Sequence, residues 1–411
     1  MARNHWIPPW AVLFAQLAHG FSWGLIFWAA WSGSAANALT GFAWIHTVAL
    51  AWITTAALAI LLFALPNFID VEWRGQTIAR IALVFFAAGT AVLIAGFLGP
   101  AKLIAFGGCV VFAALLVYLA TAFATVAAGL RGERIPRAVA RAFGITLAFL
   151  LFTALLGLGL AFMLAGKPVG AWISATPPAH AALGTFGWIS MLIFGVSMRT
   201  LRPITGDGTR MRWMHIAVGS FALAGIPLLA AGVASHVSWL SWIGGGLFAA
   251  GAFGYVLDVL DIVRRAVVPH RPPQAFVVAS VLWLLCALVL GAGVLAGRPW
   301  EDAYIFVLLA GWAGQMVNAH MYHIGVRLIA TVYRGEDDET RPQEILDARL
   351  SWFSFVSMQI AIVLVAVSLL NGSAGLAARG AVFGIGAWIA IVANMFGASL
   401  RARVLPRTIR L

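Results

Sequence analysis

Twelve apolar runs of about 20 residues or more follow one another along this chain, and a helix needs about that length to cross a bilayer. They cover roughly 9–32, 40–65, 77–98, 101–129, 138–165, 178–202, 211–234, 237–263, 272–296, 302–332, 350–370 and 377–400. Hydrophobic residues make up 62% of the 411 and charged residues only 10%, which excludes a water-soluble globule. The expected fold is therefore an all-α integral membrane protein with twelve transmembrane helices. The segments between runs are short, so residues 1–411 read as one polytopic domain whose surroundings are the lipid bilayer. The first run follows Met1-Ala2-Arg3-Asn4-His5 without a small-residue cleavage site and reads as a retained anchor.

The net charge of +12 invites a nucleic-acid reading, but its distribution argues against one. With the N-terminus inside, every Lys and Arg except Lys102, Lys167, Arg298 and Arg379 falls on the inner side. Such an asymmetry is the positive-inside pattern of a multi-pass inner (cytoplasmic) membrane protein with both termini cytoplasmic. Acidic residues gather in Glu336–Asp347, a solvated face by composition and a docking loop in the alternative reading. Cys109 and Cys286 lie within separate runs and read as core thiols. There is no CxxCH, so no c-type haem is attached to this chain.

Histidines carry the functional signal. An imidazole in hydrocarbon is costly and is retained for a reason. His46 lies about 10 Å below the start of the second run, at 1.5 Å per residue, and His180 lies in the first turn of the sixth. Both runs cross in the same direction, and small residues surround both histidines: Ala49, Ala51, Ala181, Ala182 and Gly184. This pair is the leading candidate for a shared haem or metal, because a neutral imidazole is a good iron or copper ligand. The competing reading is an interfacial imidazole bonded to water or a carbonyl.

The tenth run adds His320 and His323, three residues apart on one helix face and deeper in the membrane. They are the next candidates, as an axial ligand with a second polar or metal contact, or as partners in interhelical hydrogen bonds. His236, in the turn after the seventh run, is a candidate for joining a copper site and otherwise a surface residue. His19, in the first run, has a lining or ligand role left open. His5, His215 and His270 read as ordinary.

A weak repeat links three runs. Gly187-Trp188 in the sixth is echoed by Gly311-Trp312 in the tenth, and the second and sixth each begin with a histidine and end at a proline, Pro66 and Pro203. The four-helix spacing suggests three blocks of four helices. Absences matter equally: no carboxylate or lysine falls near the centre of any run, which argues against a proton or cation pump. No Walker A, GxSxG or HExxH pattern occurs.

With histidines on runs 2, 6 and 10, the chain resembles the haem–copper oxidase subunit I superfamily, and best its short relatives near the C-type oxidases and nitric oxide reductases. The stretch His180-Ala181-Ala182-Leu183-Gly184-Thr185-Phe186-Gly187-Trp188, continuing to Phe194-Gly195, looks like the pattern H-x-H-x-G-x-x-G-W followed by F-G that carries haem ligands there. Ala182 replaces the second histidine of that pattern. His46 to Pro66-Asn67 is similar to a helix of the NnrS family of haem- and copper-containing membrane proteins, and Gly311-Trp312 to Tyr322 resembles the tenth helix of the short oxidase-like members. The adjacent histidine pair expected for copper, the proton-channel residues and a catalytic tyrosine are missing.

The resemblance implies an oxidase-subunit-I-like, pseudo-threefold arrangement holding haem b, one or two groups, with copper as a second cofactor. A quinol or cytochrome would donate electrons, and a diatomic gas such as nitric oxide or oxygen would be the ligand or acceptor. Haem-dependent oxidoreductase activity is left open. The rival expectation is a polytopic transporter or copper-handling protein without haem.

Overall fold

The computed structural model describes residues 7–33, 38–132, 134–205, 212–267, 271–335 and 342–404, and every regular element among them is helical. The long helices are α1 (Pro9–Ser32), α2 (Ala38–Ile69), α3 (Gln76–Leu98), α4 (Lys102–Gly129), α5 (Arg134–Leu164) and α6 (177–205). They continue as α7 (Arg212–Ala234), α8 (Ser238–Arg264), α9 (Arg271–Leu295), α10 (301–334), α11 (Ala348–Asn371) and α12 (Ala374–Val404). Among the described residues, ten helices are long and apolar enough to cross a membrane, which makes this a multi-pass helical membrane protein. The two expected runs outside that set differ for identifiable reasons. The described apolar part of α7 is confined to Val218–Ala234, and α10 interrupts its apolar run with Gln315, Asn318, His320 and His323.

Two compact units partition the chain: Met1–His19 with Ala36–Arg199 and Trp213–Gly254, and Gly20–Ala35 with Thr200–Arg212 and Tyr255–Leu411. In the first unit, α3 and α4 lie so close that glycines must line the seam. A Cβ on Gly96 would meet the Ile104 nitrogen at 2.5 Å, and one on Gly89 the Val111 nitrogen at 2.9 Å. Lipid offers no hydrophobic drive between helices, so such backbone approach through small residues supplies the attraction. The second unit closes its last hairpin with Gly372 in the left-handed region (φ 73°), where α11 turns into α12. At the other end of that hairpin a small apolar cluster of Val326, Ala330, Ile345, Ala398 and Ala402 packs beneath α10.

Three helices depart from α geometry at matching places. Eight-residue π segments occupy Thr47–Thr54 in α2, Leu183–Ser190 in α6 and Val307–Gly314 in α10. Each carries tryptophan at its sixth position: Trp52, Trp188 and Trp312, exposed by at most 2%. A widened i→i+5 turn weakens the usual carbonyl bonding, and π segments are frequent at functional sites. Hydroxyls support the carbonyls here. Thr55 Oγ1 donates to the Leu50 carbonyl at 3.0 Å, Ser190 Oγ to that of Thr185 at 2.8 Å, and Ser280 Oγ to that of Trp312 at 3.0 Å. The repeat read weakly from the Gly-Trp pairs thus coincides with a recurrent backbone feature in α2, α6 and α10. A further π segment, Met321–Gly325, follows in α10 alone.

Candidate functional site

His46 is the last residue before the π segment of α2, and His180 stands three residues ahead of the one in α6. The two segments are pinned together by one long-range bond, Trp188 Nε1 donating to Thr54 Oγ1 at 2.9 Å with both residues buried. The two imidazoles lie near each other: their ring centroids are 6.3 Å apart and their planes 18° from parallel. Phe97 of α3 flanks His46 at 4.9 Å between centroids.

Each imidazole is oriented through the same nitrogen. His46 Nδ1–H donates to the Phe42 carbonyl at 2.8 Å, and His180 Nδ1–H to the Thr153 carbonyl of α5 at 2.9 Å. A carbonyl can only accept, so both rings are held as the neutral Nδ1–H tautomer and both Nε2 lone pairs remain for another partner. This is the carbonyl-supported histidine typical of metal ligation. Room for the His180 ring comes from α5: a Cβ on Gly157 would stand 2.9 Å from His180 Cε1. Both rings stay partly exposed, although the helix positions just after His46 are buried.

Two imidazoles that grip one ion from opposite sides have centroids about 6.2 Å apart, from metal–nitrogen bonds of about 2.0 Å and about 1.1 Å from nitrogen to ring centre. The observed separation meets that requirement. A pair of neutral nitrogen donors at this separation is a donor set that suits haem iron. It also suits a bare copper ion.

The other histidines fall elsewhere. His320 has both nitrogens engaged: Nδ1–H donates to the Met316 carbonyl at 2.8 Å, and Nε2 accepts from Thr200 Oγ1 at 2.7 Å. A ligand role there would have to displace the threonine. His323 lies inside the second π segment of α10 and is half-buried. His236 is exposed in the turn between α7 and α8, with φ 57°, and among the described residues no group of three His, Cys, Asp or Glu side chains is placed to hold a metal. His5, His270, the side chain of His215 and the acidic stretch 336–341 lie outside the described residues.

His19 is the surprise. It is completely buried in α1, with its ring 3.6 Å from that of Trp52 and 7° from parallel, so it stacks on the tryptophan of the π segment that follows His46. Gly157 and Phe97 border the two imidazoles and Thr54 holds Trp188; none of the three had a signal in the sequence.

No known protein family matches this sequence, and no curated protein matches it.

Two substitutions probe the support of the site. Trp188→Phe removes the donor to Thr54 and is expected to cost about 0.5–2 kcal/mol, read as a lower unfolding midpoint in detergent. Gly157→Val drives a side chain into the His180 ring. It is expected to cost about 1–3 kcal/mol from overpacking and to weaken cofactor retention about 10- to 100-fold, measured by haem or metal content after purification.

Proposed function

We propose that this chain is an integral-membrane b-type haem protein with an oxidase-subunit-I-like fold, in which His46 and His180 would supply nitrogen ligands to the haem iron. The observation that carries this reading is the pair of Nδ1-anchored neutral imidazoles with centroids 6.3 Å apart. When bound, the group would supply one-electron redox chemistry. The chain's own contribution is to fix both ring orientations through Phe42 and Thr153, to clear space at Gly157, and to wall the site with Phe97.

Ligation of the iron by both histidines would favour electron transfer between a quinol or cytochrome donor and a downstream acceptor over nitric oxide or oxygen reduction. The proposed topology is twelve crossings with both termini inside, in a bacterial-type inner membrane, supported by the placement of arginines. The three tryptophan-centred π segments, on helices four apart, support the pseudo-threefold arrangement of four-helix blocks.

One observation favours a second reading. The same centroid spacing suits a single copper ion held by two imidazoles, which would make this a copper-handling protein. Visible spectroscopy and metal analysis on one purified sample separate the two: haem gives colour and iron, copper(I) gives copper without colour.

A further inference from the structure

Between its two π segments α10 has six residues in α geometry, Gln315–His320. Gln315 and Asn318 lie three apart and so share a face of that turn. Their exposures are 0% and 1%, and all four of their side-chain polar atoms (Gln315 Oε1 and Nε2, Asn318 Oδ1 and Nδ2) are buried without a hydrogen-bond partner in the protein.

The neighbouring groups on the same helix are treated differently. The Trp312 carbonyl accepts from Ser280 Oγ, Tyr322 bonds Ser354 Oγ at 2.7 Å, and His320 uses both ring nitrogens. Buried polar groups are nearly always bonded, because leaving them unmade costs their full desolvation. Two carboxamides on one face of α10 are thus left unsatisfied by the fold itself.

Charge narrows what would satisfy them. Within this unit α9 packs along both Val307–Gly314 and Gln315–His320, and α11 packs against Val307–Gly314. No Asp, Glu, Lys or Arg occurs in 303–326, 272–295 or 350–370, so these three helices bring no counter-charge here; the buried carboxylate of this unit, Asp258, lies on α8 one turn beyond Tyr255, which packs edge-on against Trp312. An ion at this depth would be desolvated without compensation. A carboxamide presents N–H donors and a carbonyl acceptor together, and so matches a neutral partner that does both.

We propose that Gln315 and Asn318 form a buried binding site for a small uncharged ligand that both donates and accepts hydrogen bonds. Water has this chemistry, and so does a small hydroxyl- or amide-bearing solute. The site belongs to the second unit and stands or falls independently of His46 and His180.

The test is a cryo-electron microscopy map of the full-length protein in lipid nanodiscs, at a resolution that shows ordered water, beside the Gln315→Leu and Asn318→Leu variants. Discrete density about 2.7–3.2 Å from both carboxamides, lost in the variants, is expected. Single-atom peaks that recur across different buffers identify water. A multi-atom feature, with one small molecule released on denaturation and detected by mass spectrometry, identifies a solute. Thermal midpoints give a second readout. Each leucine variant is expected to melt about 2 °C or more below the wild type, because the occupant loses its partners. Carboxamides folded back onto their own backbone with apolar atoms filling the space, or leucine variants that melt higher, would overturn the proposal.

Discussion

His46→Ala and His180→Ala are each expected to strip the protein of haem, with affinity falling at least about 100-fold, the upper end of what loss of a mere supporting group costs. The fold should survive both changes. His46 bonds only a carbonyl of its own helix, and His180 a carbonyl of α5 that already belongs to a helical ladder. Each change therefore costs about 1 kcal/mol or less in stability. Haem per polypeptide, by pyridine extraction, reads the first effect, and the unfolding midpoint of the apoprotein reads the second. Free imidazole should restore part of the visible spectrum in either variant, because the space left by the ring is of its own shape. A variant that keeps full haem content would show that its histidine is no ligand. Loss of haem together with gross unfolding, unrescued by imidazole, would point to a structural role instead.

Asn394→Leu is expected to be the most destabilising single change in the second unit. Asn394 is fully buried in α12, and its Nδ2 donates to the Asp347 carbonyl and to Ser351 Oγ, both at 2.8 Å. Its Oδ1 accepts from the Asp347 backbone nitrogen at 2.8 Å and from Arg401 Nη2 at 3.2 Å. Asp347 in turn caps α11, its Oδ1 accepting from the Arg349 and Leu350 nitrogens at 2.8 and 3.0 Å. Leucine has the same branched heavy-atom skeleton but is bulkier and bonds none of these groups, so the expected loss is about 2–4 kcal/mol. Amide exchange should rise first over residues 348–351, at the start of α11, before the rest of the unit loosens. A midpoint shift equivalent to less than about 0.5 kcal/mol would mean that water replaces the side chain at little cost.

These effects mark where sequence patterns stop being informative. Apolar runs of bilayer length declare helices, because hydrocarbon leaves the backbone no other way to satisfy itself. The matching depth of His46 and His180 on two runs of the same direction also made their approach foreseeable. The backbone feature that sets their spacing was not foreseeable. A π segment has no residue signature of its own, and Thr47–Thr54 and Leu183–Ser190 read as ordinary apolar helix. The bond from Trp188 to Thr54 joins residues 134 apart, beyond any periodicity. Gly157 is one glycine among 43, and only the ring beside it gives it meaning.

Span 10 shows the same limit from the other side. His320 and His323 looked like a second ligand pair because residues three apart share a face of an α-helix. A π segment begins between them, and Thr200, contributed by α6, occupies the Nε2 of His320. Gln315 and Asn318 of α10, whose carboxamides the fold leaves unsatisfied, carry no charge and matched no motif.

The most direct test of the central claim is a reduced-minus-oxidised visible spectrum of the wild-type protein purified from haem-replete cells, with haem quantified per chain. The account predicts a b-type spectrum at about one haem per polypeptide, low-spin in the ferric state as two axial imidazoles require. A colourless protein, or one whose haem is undiminished when both His46 and His180 are replaced, would contradict it.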